Sequence, residues 1–376
     1  SVNLWNGAMS VGIINDVSGV ITLNGTSSVG IVIADGSFNP VTITATNYTG
    51  GSYTTGLRQD GTINVNGTGN LGVVIRDNGS AFFTDASLNN TTGRINLNGN
   101  NGTGLYVEHS GYTFTNNGDI TSTSNTNNTG IRVDNGTITN KYNAGKGVRI
   151  AGTSSNSTGM AALNSNSKVI NEGLIALTAT GGKNIGMYGT GGGTGNRIEN
   201  TGTNAEITMN ITAGSENIGA SIIGTGSTFS NSGKINLTDT TTAGKNVGIY
   251  SDNATVNNTG EVNLTTKGND IGIYLKGNSI GTIGGNINLT STGSNYDYGV
   301  YFDNGYTGNA AINSTISLKG KSAGVFSAVK PIAFNGTVNM DTSSSLLSAD
   351  SIGLLYQITG ASPAGNIVTN NGTLNA

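Results

Sequence analysis

Hydrophobic and polar residues alternate in short runs along the chain, and the runs follow a recurring pattern. The unit is a Gly, an aliphatic residue, any residue and usually another apolar residue, as in Gly130-Ile-Arg-Val133 and Gly272-Ile-Tyr-Leu275. Alternation with a period of two is typical of β-strands whose two faces differ in environment. The first and third residues after Gly are therefore predicted to face a core, and the second to face outward.

The pattern recurs fourteen times, and from Gly72 onward the copies lie 24 to 33 residues apart. The copies begin at Gly12, Gly30, Gly56, Gly72, Gly104, Gly130, Gly159, Gly186, Gly219, Gly248, Gly272, Gly299, Gly324 and Gly353. Between them lies a second pattern, namely an apolar residue, an Asn-rich turn, a Gly and alternating apolar residues. Phe229–Leu237 and Val256–Leu264 follow it. Asn and Gly tolerate the left-handed backbone that tight corners need.

Each unit therefore predicts about three short strands, and such a unit is too small to bury its own apolar face. Stacking successive units buries a continuous core and pairs the backbone groups of neighbouring units. We predict an all-β fold, a right-handed parallel β-helix of roughly thirteen coils and about 60 Å in length at one strand spacing per coil. A sandwich would show more regular hairpin signals, and a propeller would show blades of about 40 residues.

The whole chain is predicted to be one continuous elongated domain. The spacings from Gly12 to Gly30 and from Gly56 to Gly72 are too short for three strands. Residues 1–71 are therefore expected to form irregular coils, and residues 72–376 regular ones.

Composition narrows the function further. Only 10% of residues are charged, yet 34% are hydrophobic and recur in short runs, so the polarity belongs to turns and outward faces rather than to a disordered chain. The absence of Cys excludes disulfides, thiolate catalysis and Cys-type zinc sites. A net charge of −3 gives no electrostatic footprint for nucleic acid. Because the chain begins Ser-Val-Asn, we expect a processed or excised segment of a longer protein.

Segments such as Lys245-Asn-Val-Gly-Ile-Tyr250 and Asn269-Asp-Ile-Gly-Ile-Tyr274, together with Asn-Thr-Gly corners and the lack of Cys, resemble the passenger region of type V autotransporters. The style of the repeat is similar to that of the large Asn/Gly-rich fusobacterial outer-membrane adhesins. The resemblance covers nearly the whole chain and implies secretion and display at the bacterial cell surface. It implies contact with the membrane only through a C-terminal barrel, whose strand series this sequence does not show.

The outward position of each repeat supplies the candidate site. In the C-terminal half it holds Tyr250, Tyr274, Tyr301 and Phe326, which stacked coils would align into an exposed aromatic stripe. Aromatic side chains anchor protein interfaces and stack on sugars. We predict that these four residues bind a ligand or partner. The alternatives are that the rings only brace neighbouring strands or that a loop covers them.

Acidic residues follow many repeats at the fourth or fifth position after Gly: Asp16, Asp35, Asp60, Asp77, Glu108, Asp134, Asp252 and Asp303. We interpret them first as turn residues. Stacked carboxylates could share Ca²⁺, but the calcium-binding nonapeptide is missing. They could also serve a glycosidase, but the one His, His109, has no Asp-Asp pair or Gly-His-Gly motif around it. We therefore predict no catalytic residue, no metal site and no cofactor.

Two function classes remain open. The leading one is a non-enzymatic adhesin segment that presents an elongated face to a glycan or protein on host or neighbouring bacterial cells. The alternative is a β-helical carbohydrate-active enzyme, a polysaccharide lyase or hydrolase, which would need a compact carboxylate cluster in a groove. A plain spacer whose binding tip lies elsewhere in the parent chain is a third possibility.

Overall fold

The computed structural model describes residues 13–34, 43–44, 57–76, 83–84, 86–123, 126–152, 155–191, 195–242, 244–327, 332–341, 351–356 and 369–375. These ranges contain only strands and turns, with no helix. The strands up to residue 97 are β1 (Ile13–Asn15), β2 (Val20–Leu23), β3 (Val29–Ala34), β4 (Ile43–Thr44), β5 (Leu57–Gln59), β6 (Thr62–Val65), β7 (Leu71–Arg76), β8 (Phe83–Thr84), β9 (Ala86–Asn89) and β10 (Arg94–Leu97).

The strands of the middle of the chain are β11 (Thr103–Asn116), β12 (Asp119–Thr123), β13 (Thr129–Asn140), β14 (Gly147–Gly152), β15 (Thr158–Leu163), β16 (Ser167–Asn171), β17 (Leu174–Ala179), β18 (Ile185–Thr190), β19 (Arg197–Asn200), β20 (Glu206–Ile211), β21 (Ile218–Ile223), β22 (Thr228–Asn231), β23 (Lys234–Asp239), β24 (Val247–Asp252) and β25 (Thr255–Asn258). The remaining strands are β26 (Glu261–Thr266), β27 (Ile271–Lys276), β28 (Ile280–Ile283), β29 (Asn286–Ser291), β30 (Asp297–Phe302), β31 (Ala310–Ile312), β32 (Thr315–Lys319), β33 (Ser322–Ser327), β34 (Ala333–Phe334), β35 (Thr337–Asp341), β36 (Ile352–Tyr356), β37 (Thr369–Asn370) and β38 (Thr373–Asn375).

The strands line three faces of a solenoid, and the pairings between turns are parallel. The first face is a 13-stranded sheet that runs from β2 to β38. The second face holds the strands that carry the repeat glycine, and here Ile249 of β24 lies opposite Ile273 of β27. The third face holds the strands that follow them, such as β25 and β28. The predicted all-β parallel β-helix with three strands per coil is thereby confirmed.

From β10 to β34, nine successive turns each place a strand on all three faces. In the first two of these turns the second-face and third-face strands are continuous, as β11 and β13. The 13-stranded sheet extends the stack at both ends of this stretch. At both ends, segments outside the described residues lie between consecutive strands, and these turns are not counted as regular. The regular part therefore has nine turns, fewer than the roughly thirteen that one turn per repeat copy predicts.

Two of the fourteen repeat copies belong to a different face from the rest. The strands that follow Gly12 and Gly56 are β1 and β5, and they pair with each other rather than with a second-face strand. Each precedes a first-face strand and then the next repeat copy, so each occupies the third-face position of its turn. The short spacings at Gly12 and Gly56 therefore separate strands of one turn instead of equivalent strands of two turns.

The core lies where the alternation predicts it. Ile131, Val133, Ile249, Ile273 and Leu275, each one or three residues after a repeat glycine, are all 0% exposed. They form one continuous apolar column with the inward side chains of the first and third faces. Because every turn adds the same few aliphatic groups, burial is shared between neighbours and no turn is stable by itself.

The repeat glycine is required by close approach rather than by an unusual backbone angle. A Cβ on Gly248 would lie 2.6 Å from the carbonyl oxygen of Gly272 and 2.8 Å from Cγ1 of Val262. The same pair of neighbours, the next repeat glycine and a β-branched residue of the first face, surrounds Gly104, Gly186 and Gly219. Any larger residue would push two backbones apart at the corner between the faces.

A spine of buried asparagines runs up the end of the third face. It consists of Asn89, Asn116, Asn140, Asn171, Asn200, Asn231 and Asn258, each at most 1% exposed. The Nδ2 of each residue donates to Oδ1 of the next at 2.7–2.9 Å. After Asn258 the equivalent positions become apolar, with Ile283 and Ile312 in register. Each buried side-chain amide of the spine has a hydrogen-bond partner in the next turn only because that turn carries an asparagine at the same position.

Replacing Gly248 by Ala is expected to lower the free energy of unfolding by about 1–3 kcal/mol, because the methyl group overpacks the corner. Gly305→Ala is the control, since its Cβ would meet only Asp303 Oδ1, at 3.5 Å, on an exposed turn. Urea unfolding followed by circular dichroism measures both variants. Equal effects of the two substitutions would contradict the close-approach explanation.

Asn200→Ala is expected to lower the free energy of unfolding by about 2–4 kcal/mol, because it removes partners of Asn171 and Asn231 inside the core. The matched control is Asn263→Ala, in the half-exposed ladder in which Asn263 donates to Asn236 and accepts from Asn288. Water replaces those partners, so the expected loss is under about 1 kcal/mol. If the two variants unfold at the same urea concentration, the buried spine does not carry the stability assigned to it.

Candidate functional site

On the second face, the second residue after each repeat glycine faces outward, and strand register aligns these side chains into an outer column. Its members are Val32, Val74, Tyr106, Arg132, Ala161, Tyr188, Ser221, Tyr250, Tyr274, Tyr301, Phe326 and Leu355. The second residue after each repeat glycine of this face therefore faces outward, as the sequence predicts. Small residues at Ala161 and Ser221 divide the column into an N-terminal part with charged residues and a C-terminal aromatic part.

The C-terminal part is an aromatic ladder made of Tyr250, Tyr274, Tyr301 and Phe326, the four predicted site residues. The ring centroids are 5.4 Å apart for the first pair, 5.2 Å for the second and 4.6 Å for the third. The ring planes differ by 16°, 7° and 20°, so the rings stack face to face. Such a stack is stabilised beyond the area it buries, by about 0.5–1.5 kcal/mol per pair.

Exposure varies along the aromatic ladder. Tyr250, Tyr274 and Tyr301 are half-buried, whereas Phe326 is only 5% exposed. Phe326 is covered because the ring of Tyr298 packs edge-on against it at 5.3 Å and against Tyr301 at 5.4 Å. The expectation of four exposed rings is therefore wrong for Phe326, and the accessible ladder consists of three tyrosines.

Face-to-face stacking determines which part of each ring a partner can reach. The inner rings cover one another's faces, so their edges and hydroxyl groups are what the outer surface offers. Burial raises the pKa of Tyr250 and of Tyr301. Burial also raises the pKa of Tyr274, whose hydroxyl donates to Asp303 Oδ2. The hydroxyl groups thus remain protonated donors in the physiological pH range.

A short charged row lies beside the aromatic ladder, two residues further along each strand. It consists of Asp252, Lys276 and Asp303. Lys276 Nζ lies 3.2 Å from Asp252 Oδ2, and Tyr250 Oη lies 3.5 Å from the same oxygen. Asp303 Oδ1 accepts a hydrogen bond from the backbone of Gly305 at 2.9 Å, as the turn interpretation predicts. The aromatic edges are therefore bordered by carboxylates and one ammonium group.

The N-terminal part of the column forms a tyrosine–arginine clamp made of Arg76, Tyr106, Glu108, Arg132 and Asp134. The guanidinium carbons of Arg76 and Arg132 lie 5.7 and 5.3 Å from the centroid of the Tyr106 ring. Arg76 pairs with Glu108 at 2.7 Å, and Arg132 pairs with Asp134 through two bonds of 2.8 and 2.7 Å. The Tyr106 hydroxyl lies 2.9 Å from Asp134 Oδ2 and 3.1 Å from Glu108 Oε2.

The clamp uses the carboxylates that were considered for glycosidase chemistry. Each of the two is neutralised by an arginine of its own or a neighbouring turn. Burial and the bond to Asp134 raise the pKa of Tyr106 to about 12. These contacts hold three turns together, and paired carboxylates of this kind are a common structural arrangement as well as a functional one.

The other acidic residues of the sequence pattern are dispersed. Asp16 accepts a hydrogen bond from the backbone of Val17 at 2.8 Å, and Asp60 accepts one from the Thr92 hydroxyl at 3.3 Å. Asp35, Asp77 and the side chain of His109 lie outside the described residues.

The sequence interpretation did not identify three buried carboxyl groups, those of Asp239, Asp270 and Asp297, which are 2%, 0% and 0% exposed. Asp270 and Asp297 stand two residues before a repeat glycine, where Asn184 and Asn217 stand in earlier turns. Aligning the repeats at this position would have shown the change from amide to acid.

Comparison with known proteins gives no relative: no family model, no curated protein and no solved structure matches the chain. Among the described residues, no helix is long and apolar enough to cross a membrane. Over the same ranges, no three His, Cys, Asp or Glu side chains are grouped so that they could hold a metal ion.

Arg132→Ala is expected to lower the free energy of unfolding by about 1–3 kcal/mol, because it leaves the Asp134 carboxylate, 9% exposed, without its cation. Lys141→Ala is the matched control, since Lys141 and Glu172 form a 2.8 Å pair that is 42% and 36% exposed. Its loss should stay within about 0.5 kcal/mol. Equal losses, measured by urea unfolding, would show that the clamp adds nothing beyond an ordinary surface ion pair.

Proposed function

We propose that the chain is a non-enzymatic segment of a surface-displayed adhesin, of the autotransporter passenger type, that presents an elongated binding face. The observation that carries the proposal is the half-buried tyrosine column of Tyr250, Tyr274 and Tyr301 on the outer side of the solenoid. A partner is a glycan or a protein on the surface of host or neighbouring bacterial cells. The segment acts outside the cell, held at the outer membrane by a longer parent protein.

The mode of contact follows from the stacking. A partner meets the tyrosine edges and hydroxyl groups, together with the carboxylates of Asp252 and Asp303 and the ammonium group of Lys276. Hydroxyl, carboxylate and ammonium groups in a row suit hydroxyl-rich glycans and polar peptide surfaces. Tyrosine loses little rotational freedom when it is fixed, and the stack has already fixed these three. The row is preorganised, so binding orders few additional side chains.

The solenoid supports the proposal in a second way. Its regular turns place equivalent side chains at intervals of about 4.8 Å, one strand spacing. A repeating surface of this kind offers many weak contacts to a long partner, and weak contacts that are linked together give a high total affinity.

Replacing Tyr274 and Tyr301 together by Ser is expected to weaken binding about tenfold or more, because anchoring aromatic residues each contribute over about 1 kcal/mol at interfaces. Labelled protein is titrated onto epithelial cells, onto bacterial cells and onto a glycan array. Tyr142→Ser is the matched control, since Tyr142 is 56% exposed and lies on a different part of the solenoid. The stability of every variant is measured on the same preparation.

Three outcomes would contradict the proposal. If binding survives while stability falls, the aromatic ladder is a structural brace. If Tyr142→Ser weakens binding as much as the ladder variant, the contact is nonspecific. Turnover of an acidic or neutral polysaccharide that is abolished by changing Asp77, Glu108 or Asp134 would favour the alternative, a carbohydrate-active enzyme.

A further inference from the structure

A second buried ladder, here called the polar ladder, runs along the corner between the first and second faces. Its residues stand two positions before successive repeat glycines: Asn128, Ser157, Asn184, Asn217, Asn246, Asp270 and Asp297. All are at most 2% exposed. In Asn184, Asn217 and Asn246, Oδ1 accepts from the turn before and Nδ2 donates to the turn after. Asn184 Nδ2 donates to Asn217 Oδ1, and Asn217 Nδ2 donates to Asn246 Oδ1, both at 3.0 Å.

The polar ladder changes from amides to acids after Asn246. Asp270 Oδ1 continues the pattern by accepting from the backbone N–H and from Nδ2 of Asn246, at 2.8 and 3.0 Å. Asp270 Oδ2 then stands where an asparagine would place its donating Nδ2. It is buried and has no hydrogen-bond donor among the described residues.

The neighbouring carboxyl groups of Asp239 and Asp297 differ from that of Asp270, because both oxygens of each accept hydrogen bonds. Asp297 Oδ1 accepts from the backbone N–H of Asp270 at 3.0 Å, and its Oδ2 accepts from the Thr266 hydroxyl at 2.7 Å. Asp239 accepts from the backbone of Thr241 and from Asn246 Nδ2, both at 2.7 Å. Asp239 and Asp297 are thus solvated as carboxylates by the protein, whereas one oxygen of Asp270 is not.

We propose that Asp270 carries a proton on Oδ2, that this proton replaces the asparagine amide as the donor toward Asp297 Oδ1, and that the polar ladder is therefore a proton-binding site whose loss of the proton weakens the stack. Neutral carboxyl groups that donate a hydrogen bond are the form expected where a buried acid lacks donors. The proton is taken from water and returned to it, so no other reactant is involved.

The groups packed around Asp270 agree with a proton on its Oδ2. The turn before contributes Asn246 and Asp239, and the turn after contributes Asp297. Lys321, one turn further on, holds its ammonium group over the ring of Tyr296 at 4.9 Å. Burial and the two neighbouring carboxylates raise the pKa of Asp270 to about 8, and burial raises that of Asp297 to about 6.

The sign of the pH effect follows from the raised pKa. In the unfolded chain Asp270 ionises at about pH 3.9, so between that value and the folded pKa the native state binds one more proton. The stabilisation is complete below about pH 4 and is lost as the pH rises through the folded pKa. Asp297 has the same sign at lower pH, so the change in stability between pH 7 and pH 8 belongs mainly to Asp270.

The experiment compares the wild-type chain with Asp270→Asn between pH 5 and pH 9. The unfolding equilibrium constant of the wild type is expected to rise up to about tenfold per pH unit between pH 6 and pH 8 relative to that of Asp270→Asn. The variant should match or exceed the wild type in stability at pH 8, because Asn restores the pattern of Asn184 and Asn217. Glu172→Gln, a carboxyl-to-amide change in an exposed ion pair, should follow the wild-type profile.

Infrared spectroscopy supplies a direct readout. The wild type at pH 7, where Asp297 is largely ionised, should show the carbonyl band of a protonated carboxyl group, which disappears as the pH passes about 8 and is missing from Asp270→Asn. Asp270→Ser, which uses the residue found in the polar ladder at Ser157, repeats the comparison if the Asn variant does not fold. Parallel stability profiles for the wild type and both variants would overturn the proposal. Loss of the band in Asp297→Asn or Asp239→Asn, with the band kept in Asp270→Asn, would also overturn it.

Discussion

Stacking by one strand spacing is the constraint on which the rest of this structure depends. A side chain in one turn lies directly over its equivalent in the next, so each column works best with residues that can partner themselves. Asparagine can, because its amide both donates and accepts. Aliphatic residues, glycine and tyrosine can as well, whereas like charges cannot. The composition reflects this rule, since the chain is rich in Gly and only 10% of its residues are charged. Apart from Arg132–Asp134, the ion pairs among the described residues join opposite charges one turn apart, as in Lys141–Glu172 and Lys168–Glu199.

The fold was predictable because self-partnering columns produce a periodic sequence. The alternation after each repeat glycine correctly placed Ile249 and Ile273 in neighbouring strands and in the core. The same local pattern misassigned the copies at Gly12 and Gly56, because a Gly followed by aliphatic residues does not encode which face it belongs to. Asn231 and Asn258, in the segments Phe229–Leu237 and Val256–Leu264, were read as turn residues, yet they belong to the buried spine. An asparagine before a glycine has the same local sequence in both situations, and only the residue one turn away distinguishes them.

The candidate site was predictable in register but not in exposure. The outward position of Tyr250, Tyr274 and Tyr301 follows from the period of two, and their stacking follows from the turn spacing. The burial of Phe326 depends on Tyr298, which stands outside the repeat position and reaches across two rings. Which surface of a ring is accessible is also a property of the stack, because each ring covers its neighbour. A repeated tyrosine in a solenoid therefore predicts a surface of edges and hydroxyl groups rather than a row of open faces.

Charged groups enter the stack where its columns depart from self-partnering. At the tyrosine–arginine clamp, Arg132 follows Tyr106 in the column, and the guanidinium groups of Arg76 and Arg132 both lie against the Tyr106 ring. At Asp270 and Asp297, two acids occupy successive steps of a ladder built for amides, and like charges there would repel in a medium that screens poorly. A column of identical amides is satisfied at every pH, whereas a step between two acids is satisfied only when one of them holds a proton. Two adjacent aspartates therefore make one corner of the core responsive to pH, while the Asn spine on the neighbouring corner is unaffected by pH.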